Sequence, residues 1–180
     1  MRDFLKDDVI KEMVKIGHDQ EGNDFFEWNL YHDQVFFGKV VKKLVKKIKD
    51  PDEIDYVASL GGSGCPLATR LSQEIGKKLL FVHDRWAITE TFRPLRPFDV
   101  DISGKTILLV DSILRTGLTA YNGMRVIKTK GGIPFIAVMV ILNEWVDLDL
   151  LSGELGDVET YYLLLWNKRI FDIAVEQQLI

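Results

Sequence analysis

Ile107-Leu108-Leu109-Val110-Asp111-Ser112-Ile113-Leu114-Arg115-Thr116-Gly117-Leu118-Thr119 is the stretch whose reading decides the fold. Thr106 to Val110 spells a strand buried on both faces, and such strands belong to parallel sheets. Asp111 falls at the carboxyl end of that strand, and a tight loop then enters a helical pattern that runs to Lys130 and ends at Gly131-Gly132. A loop of this kind points backbone N–H groups outward, and the positive end of the helix favours an anion there. Gly117 permits close approach of a phosphate, and the Thr116 and Thr119 hydroxyls can donate to it. Asp111 lies one loop-width away, placed to accept hydrogen bonds from sugar hydroxyls. One element can therefore hold both ends of a ribose 5-phosphate. The plain alternative is a strand–loop–helix whose Thr only caps the helix.

The same rhythm continues on both sides. Ile54 to Leu60 reads as a buried strand ending in Gly61-Gly62-Ser63-Gly64, and Pro66 suits the first turn of a helix running to about Gly76. Leu79 to His83, Pro134 to Leu142 and Thr160 to Leu165 read as further strands. Strands alternating with helices predict an α/β fold with a mostly parallel, doubly wound sheet, and ligands bind such sheets beyond the carboxyl ends of the strands. Upstream, Asp8 to Ile16 is a short helical pattern, and Gly17 to Asn23 is polar and turn-prone. Lys39 to Lys49 puts Val40, Val41, Leu44, Val45 and Ile48 on one helical face, with its lysines forming a solvated opposite face. Asp84 to Ser103 has little periodicity, and a loop that long inside a compact domain is usually functional or mobile.

Composition narrows the function classes. A chain of 180 residues, 47% hydrophobic, suits one domain. The net charge of -4 argues against a protein that coats nucleic acid. With one cysteine, Cys65, no intrachain disulfide can form, which fits a reducing cytosol. The start, Met1-Arg2-Asp3-Phe4-Leu5-Lys6-Asp7-Asp8, has no apolar core of a secretory signal, and no apolar run is long enough to span a membrane. A cytoplasmic protein with no membrane partner is expected. His18, His32 and His83 show no metal-ligand spacing, so no protein metal site is assigned. Cys65 near a helix start could be a nucleophile, but no paired base is evident, and a small packed residue is the better reading.

Ser59-Leu60-Gly61-Gly62-Ser63-Gly64-Cys65-Pro66 is a second loop suited to a polyanion, since glycines let the main chain approach and the following helix offers its positive end. Gly62-Ser63-Gly64 also imitates a dinucleotide fingerprint, with Asp84 at a suggestive distance. Leu67, however, occupies the third position, which needs Gly or Ala for helix–strand packing. Ser103-Gly104-Lys105-Thr106 imitates the end of a P-loop, yet Asp99 stands at the leading glycine and the motif precedes a strand instead of following one.

The stretch from Val110 to Thr119 resembles the signature of type I phosphoribosyltransferases that binds 5-phosphoribosyl-1-pyrophosphate (PRPP). Asp111, Thr116, Gly117 and Thr119 match it, while Ser112 stands where many members carry a second acid and some uracil-specific members do not. Gly61 to Gly64 followed by Pro66-Leu67-Ala68 resembles the pyrophosphate loop of the orotate-type branch. Phe25-Phe26-Glu27-Trp28 through Val35-Phe36-Phe37 resembles that branch's N-terminal hood over the base, with Phe36 and Phe37 as the flanking aromatics or, alternatively, as core residues. The likeness runs from about Gly17 to the end. It implies one domain over 1–180, with a hood and helices in 1–50 and the α/β core in 51–180.

The function implied is transfer of ribose 5-phosphate from PRPP to a nucleobase with release of pyrophosphate, by a homodimer using Mg2+ bound through PRPP. Ribose and 5-phosphate contacts would come from Asp111, Ser112, Arg115, Thr116, Gly117, Leu118 and Thr119, and pyrophosphate contacts from Gly61, Gly62, Ser63 and Gly64. Asp111, Arg85 and Arg93 would be catalytic, and closure of the Asp84–Ser103 loop would exclude water. Orotate-specific cations are missing. Trp28 and Tyr121 stand near where the branch needs Lys and Arg, Asp84, Ala87 and Thr89 fall where loop cations are expected, and Arg85, Arg93 and Arg96 are that loop's only basic residues. A neutral base is therefore expected, contacted by Phe36, Phe37 and Tyr121. A non-catalytic PRPP- or nucleotide-sensing protein on the same fold is the alternative.

Overall fold

A computed structural model describes residues 7–18, 30–60, 62–82, 100–114, 117–142 and 158–166. Five parallel strands form one sheet: β1 (Tyr56–Leu60), β2 (Lys78–Val82), β3 (Thr106–Leu114), β4 (Ile133–Leu142) and β5 (Thr160–Trp166). Their spatial order is β2-β1-β3-β4-β5. Among the described residues, α-helices flanking them include α1 (Asp8–His18), α2 (Gln34–Val45), α3 (Cys65–Ile75) and α4 (Leu118–Thr129).

The order explains the two layers. The chain leaves β1, passes through α3 and returns as β2 on one side of β1; it leaves β3, passes through α4 and returns as β4 on the far side of β3. Right-handed crossovers in opposite directions put the two helices on opposite faces. Accordingly Leu67, Ala68 and Leu71 of α3 pack with Val57, Leu108, Val110 and Met139, together with Val40, Val41 and Leu44 of α2 and Ile10 and Met13 of α1. On the other face Ala120, Met124 and Ile127 of α4 pack with Ala58, Leu60, Leu109 and Val138. The direction of winding reverses between β1 and β3, and the crevice beyond their carboxyl ends is where such sheets take ligands.

Two elements differ from the sequence reading. β3 runs four residues past Val110, because Ile113 and Leu114 stay paired with Val140 and Ile141 of the ten-residue β4. Asp111 is thus inside the strand and not at its end. The second helix begins at Gln34, because Asp33 caps it, and stops at Val45, short of the Lys49 end that the lysine-rich pattern suggested. The Asp33 carboxylate accepts from the N–H groups of Val35 and Phe36 at 3.0 and 2.9 Å. Replacing Asp33 with Ala is expected to cost about 1 kcal/mol of stability. Urea titration of the variant checks this, and an unchanged midpoint would mean that packing alone sets the start of α2. Among the described residues no helix is long and apolar enough to cross a membrane.

Candidate active site

The site forms where β1 and β3 lie side by side. Their register pairs Ala58 with Leu109 and Ser59 with Val110, so the chain leaving Leu60 emerges beside Asp111. Residues Gly62, Ser63 and Gly64 turn there and lead directly into α3. Gly64 is pressed against the neighbouring strand: a Cβ on it would lie 2.7 Å from the carbonyl oxygens of Leu60 and Val110 and 3.1 Å from Asp111 Cα. The loop can run this close to β3 only without a side chain at that position.

Asp111 is 8% exposed. Its Oδ1 accepts from the Ser112 N–H at 2.8 Å and from the Ser63 hydroxyl at 3.4 Å. The carboxylate is therefore held by its own strand and by the loop after β1. Ser112 is completely buried. An acid at that position would have to be desolvated, which is costly without dedicated partners, so serine suits the packing here.

These helices divide by how they start. α1 and α2 are capped by carboxylates, Asp7 and Asp33, which accept from the first free N–H groups. α3 and α4 begin after Gly64 and Gly117, and neither has a side-chain cap. Gly117 has φ of 83°, a left-handed conformation that favours glycine. The first N–H groups of a helix need acceptors from outside it. At α1 and α2 carboxylates supply them, whereas the two helices that follow β1 and β3 start from glycines and turn their positive ends toward the same edge of the sheet.

The N-terminal segment reaches this edge through Tyr31, whose hydroxyl donates to the Ser63 carbonyl at 2.9 Å. That contact joins residues 32 apart and carried no signal in the sequence. Phe36, Phe37 and Tyr121 are 9%, 4% and 8% exposed. The two phenylalanines belong to the core beneath α2, and Tyr121 belongs to the core beneath α4 with the Arg125 guanidinium 5.8 Å from its ring centre. Their rings pack in the core. Leu118 is exposed and Thr119 half-buried at the start of α4. Gly61, Arg115 and Thr116 lie outside the described residues, as do Trp28, Arg85, Arg93, Arg96 and residues 83–99 of the long loop. Cys65 is the first residue of α3 and takes a 3.3 Å hydrogen bond from the Ser59 hydroxyl, which suits a packed thiol.

Among the described residues no group of three or more His, Cys, Asp or Glu is placed to hold a metal ion. Asp111 with the Ser63 hydroxyl beside it is too sparse a donor set for a protein cage, but it suits an ion carried in by phosphate oxygens.

The family profile of the phosphoribosyl transferase domain matches residues 27–145. An orotate phosphoribosyltransferase of Sulfurisphaera tokodaii is 30% identical over 67% of this chain and 59% of its own length. An amidophosphoribosyltransferase of Lachancea kluyveri is 24% identical over 82% of this chain, which spans 31% of that larger protein. The adenine phosphoribosyltransferase structure from Leishmania tarentolae superposes with a TM-score of 0.67 at 11% identity, covering 89% of this chain and 88% of that one. At that identity the likeness is one of fold.

Proposed function

The chain belongs to the phosphoribosyl transferase domain family, and from that premise we propose that it transfers ribose 5-phosphate from PRPP to a nucleobase and releases pyrophosphate. The observation that carries this reading is the pair of glycine-led helix starts that bracket Asp111 at the winding reversal of the sheet.

In this proposal the Gly61–Gly64 loop and the start of α3 receive the pyrophosphate. The 115–119 loop and the start of α4 receive the 5-phosphate, with Arg115, Thr116, Gly117, Leu118 and Thr119 lining it. Asp111 accepts from the ribose hydroxyls, and Ser112 backs it. The C1–O bond to pyrophosphate breaks as a ring nitrogen of the base bonds to C1, through a sugar that carries positive charge. The protein contributes by orienting the two reactants and by neutralising the leaving group. Asp111, negatively charged and close to the ribose, favours the cationic sugar. Arg85 and Arg93 are proposed to offset charge on the departing pyrophosphate. Mg2+ bound through the pyrophosphate oxygens would share that neutralisation. We read 1–180 as one domain working as a cytoplasmic homodimer, with 1–50 against the α/β core of 51–180.

The acceptor is read as a neutral base. Trp28 and Tyr121 stand where an orotate enzyme is expected to carry cations, and a buried carboxylate without a partner is strongly disfavoured. The experiment is a turnover screen with PRPP, Mg2+ and a panel of orotate, uracil, hypoxanthine, guanine and adenine, detecting released pyrophosphate. Release with a neutral base at higher kcat/KM than with orotate is the expected result. Orotate winning would overturn the inference about the base. Release with no base at all, alongside tight PRPP binding, would favour a sensing protein on this fold.

A further inference from the structure

We propose that Tyr31 is a positioning residue for the pyrophosphate loop, setting the plane of the peptide between Ser63 and Gly64 so that the Gly64 N–H faces the ligand. The inference rests on the PRPP reading and deepens it by adding a residue that lies outside both phosphate loops.

The geometry runs in one direction from the core to the loop. Phe37 is buried, and the Tyr31 ring meets it edge-on, with centroids 4.9 Å apart and planes at 76°. The Tyr31 carbonyl accepts from the Gln34 side-chain amide at 2.6 Å, and Asp33 fixes the first turn of α2 immediately beyond. Tyr31 is therefore anchored through both its ring and its backbone. From that anchor its hydroxyl donates to the Ser63 carbonyl at 2.9 Å. On its other side Ser63 is tied by its hydroxyl to Asp111 Oδ1 at 3.4 Å. One loop residue is thus gripped from the N-terminal segment and from β3.

The consequence follows from peptide geometry. No peptide bond among the described residues is cis, so the Ser63 carbonyl and the Gly64 N–H point in opposite directions. Drawing the carbonyl toward Tyr31 turns the N–H away from it. Gly64 is buried immediately before α3. In the PRPP reading its N–H is a donor to the anion seated at the start of α3. Without the Tyr31 hydroxyl the peptide is free to rotate, and a carbonyl turned inward would repel a phosphate.

Tyr31→Phe removes the hydroxyl and leaves the ring on Phe37. The test is calorimetric titration of wild type and Tyr31→Phe with PRPP plus Mg2+ and, separately, with ribose 5-phosphate, beside their thermal melts. Ribose 5-phosphate lacks the pyrophosphate and does not use this loop. The expected result is PRPP affinity lowered roughly threefold to tenfold, ribose 5-phosphate affinity unchanged, and melting temperature unchanged. Equal PRPP affinity in the two proteins would overturn the role of Tyr31 while leaving the PRPP reading intact. Equal losses for both ligands would also overturn it, since that marks a general structural effect. A wild type that does not bind PRPP would bring down the reading and the inference together.

Discussion

Gly64→Ala is expected to abolish measurable PRPP binding and to destabilise the fold by about 3 kcal/mol, the upper end of what overpacking usually costs. The added Cβ would come within 2.7 Å of two carbonyl oxygens and 3.1 Å of Asp111 Cα. All three contacts are backbone, and they belong to the two central strands, β1 and β3. Neither strand can yield without disturbing the pairing that places Leu60 beside Asp111. The loop must move instead, and the anion site moves with it. Gly62→Ala is the control, since a Cβ there has nothing within 4 Å. It should keep its stability. Urea denaturation and PRPP titration of both variants check the pair. A Gly64→Ala protein as stable as Gly62→Ala would show that the loop does not sit against β3 as described.

Much of this arrangement was legible in the sequence because it is written in local patterns. Runs such as Ile107 to Val110 are buried on both faces, so they read as strands without any knowledge of their partners. Gly76, with φ of 68°, ends α3 where the sequence placed the end. Asp111 and the two glycine-bearing loops stood out because an acid and glycines interrupt apolar runs.

The parts that escaped depend on distant residues. β3 continues through Ile113 and Leu114 because β4 is long enough to pair with them, and nothing in Asp111-Ser112 announces that. The start of α2 hid behind the lysine pattern, although Asp33 followed by Gln34 was a usable capping signal. That Phe36 and Phe37 pack in the core follows from the packing of α2 against α3 and the sheet, which no local pattern spells out. The link from Tyr31 to Ser63 is a side-chain-to-backbone bond with no sequence spacing of its own.

Asp111→Asn carries the second large effect. Asparagine keeps the shape and leaves one oxygen to accept from the Ser112 N–H and the Ser63 hydroxyl, so the strand and the loop should hold their places. What is lost is the negative charge offered to the ribose hydroxyls. A hydrogen bond to a charged group contributes about 1.5–3 kcal/mol, so PRPP affinity should fall by roughly tenfold to more than a hundredfold. Gly117→Val should weaken PRPP as well, because valine resists φ of 83° and blocks close approach of the 5-phosphate. Calorimetric titration of PRPP, with Mg2+ present, into wild type and Asp111→Asn side by side tests the central claim most directly. The account predicts saturable binding to wild type and binding at least tenfold weaker to Asp111→Asn with an unchanged fold; equal affinity in the two proteins would contradict it.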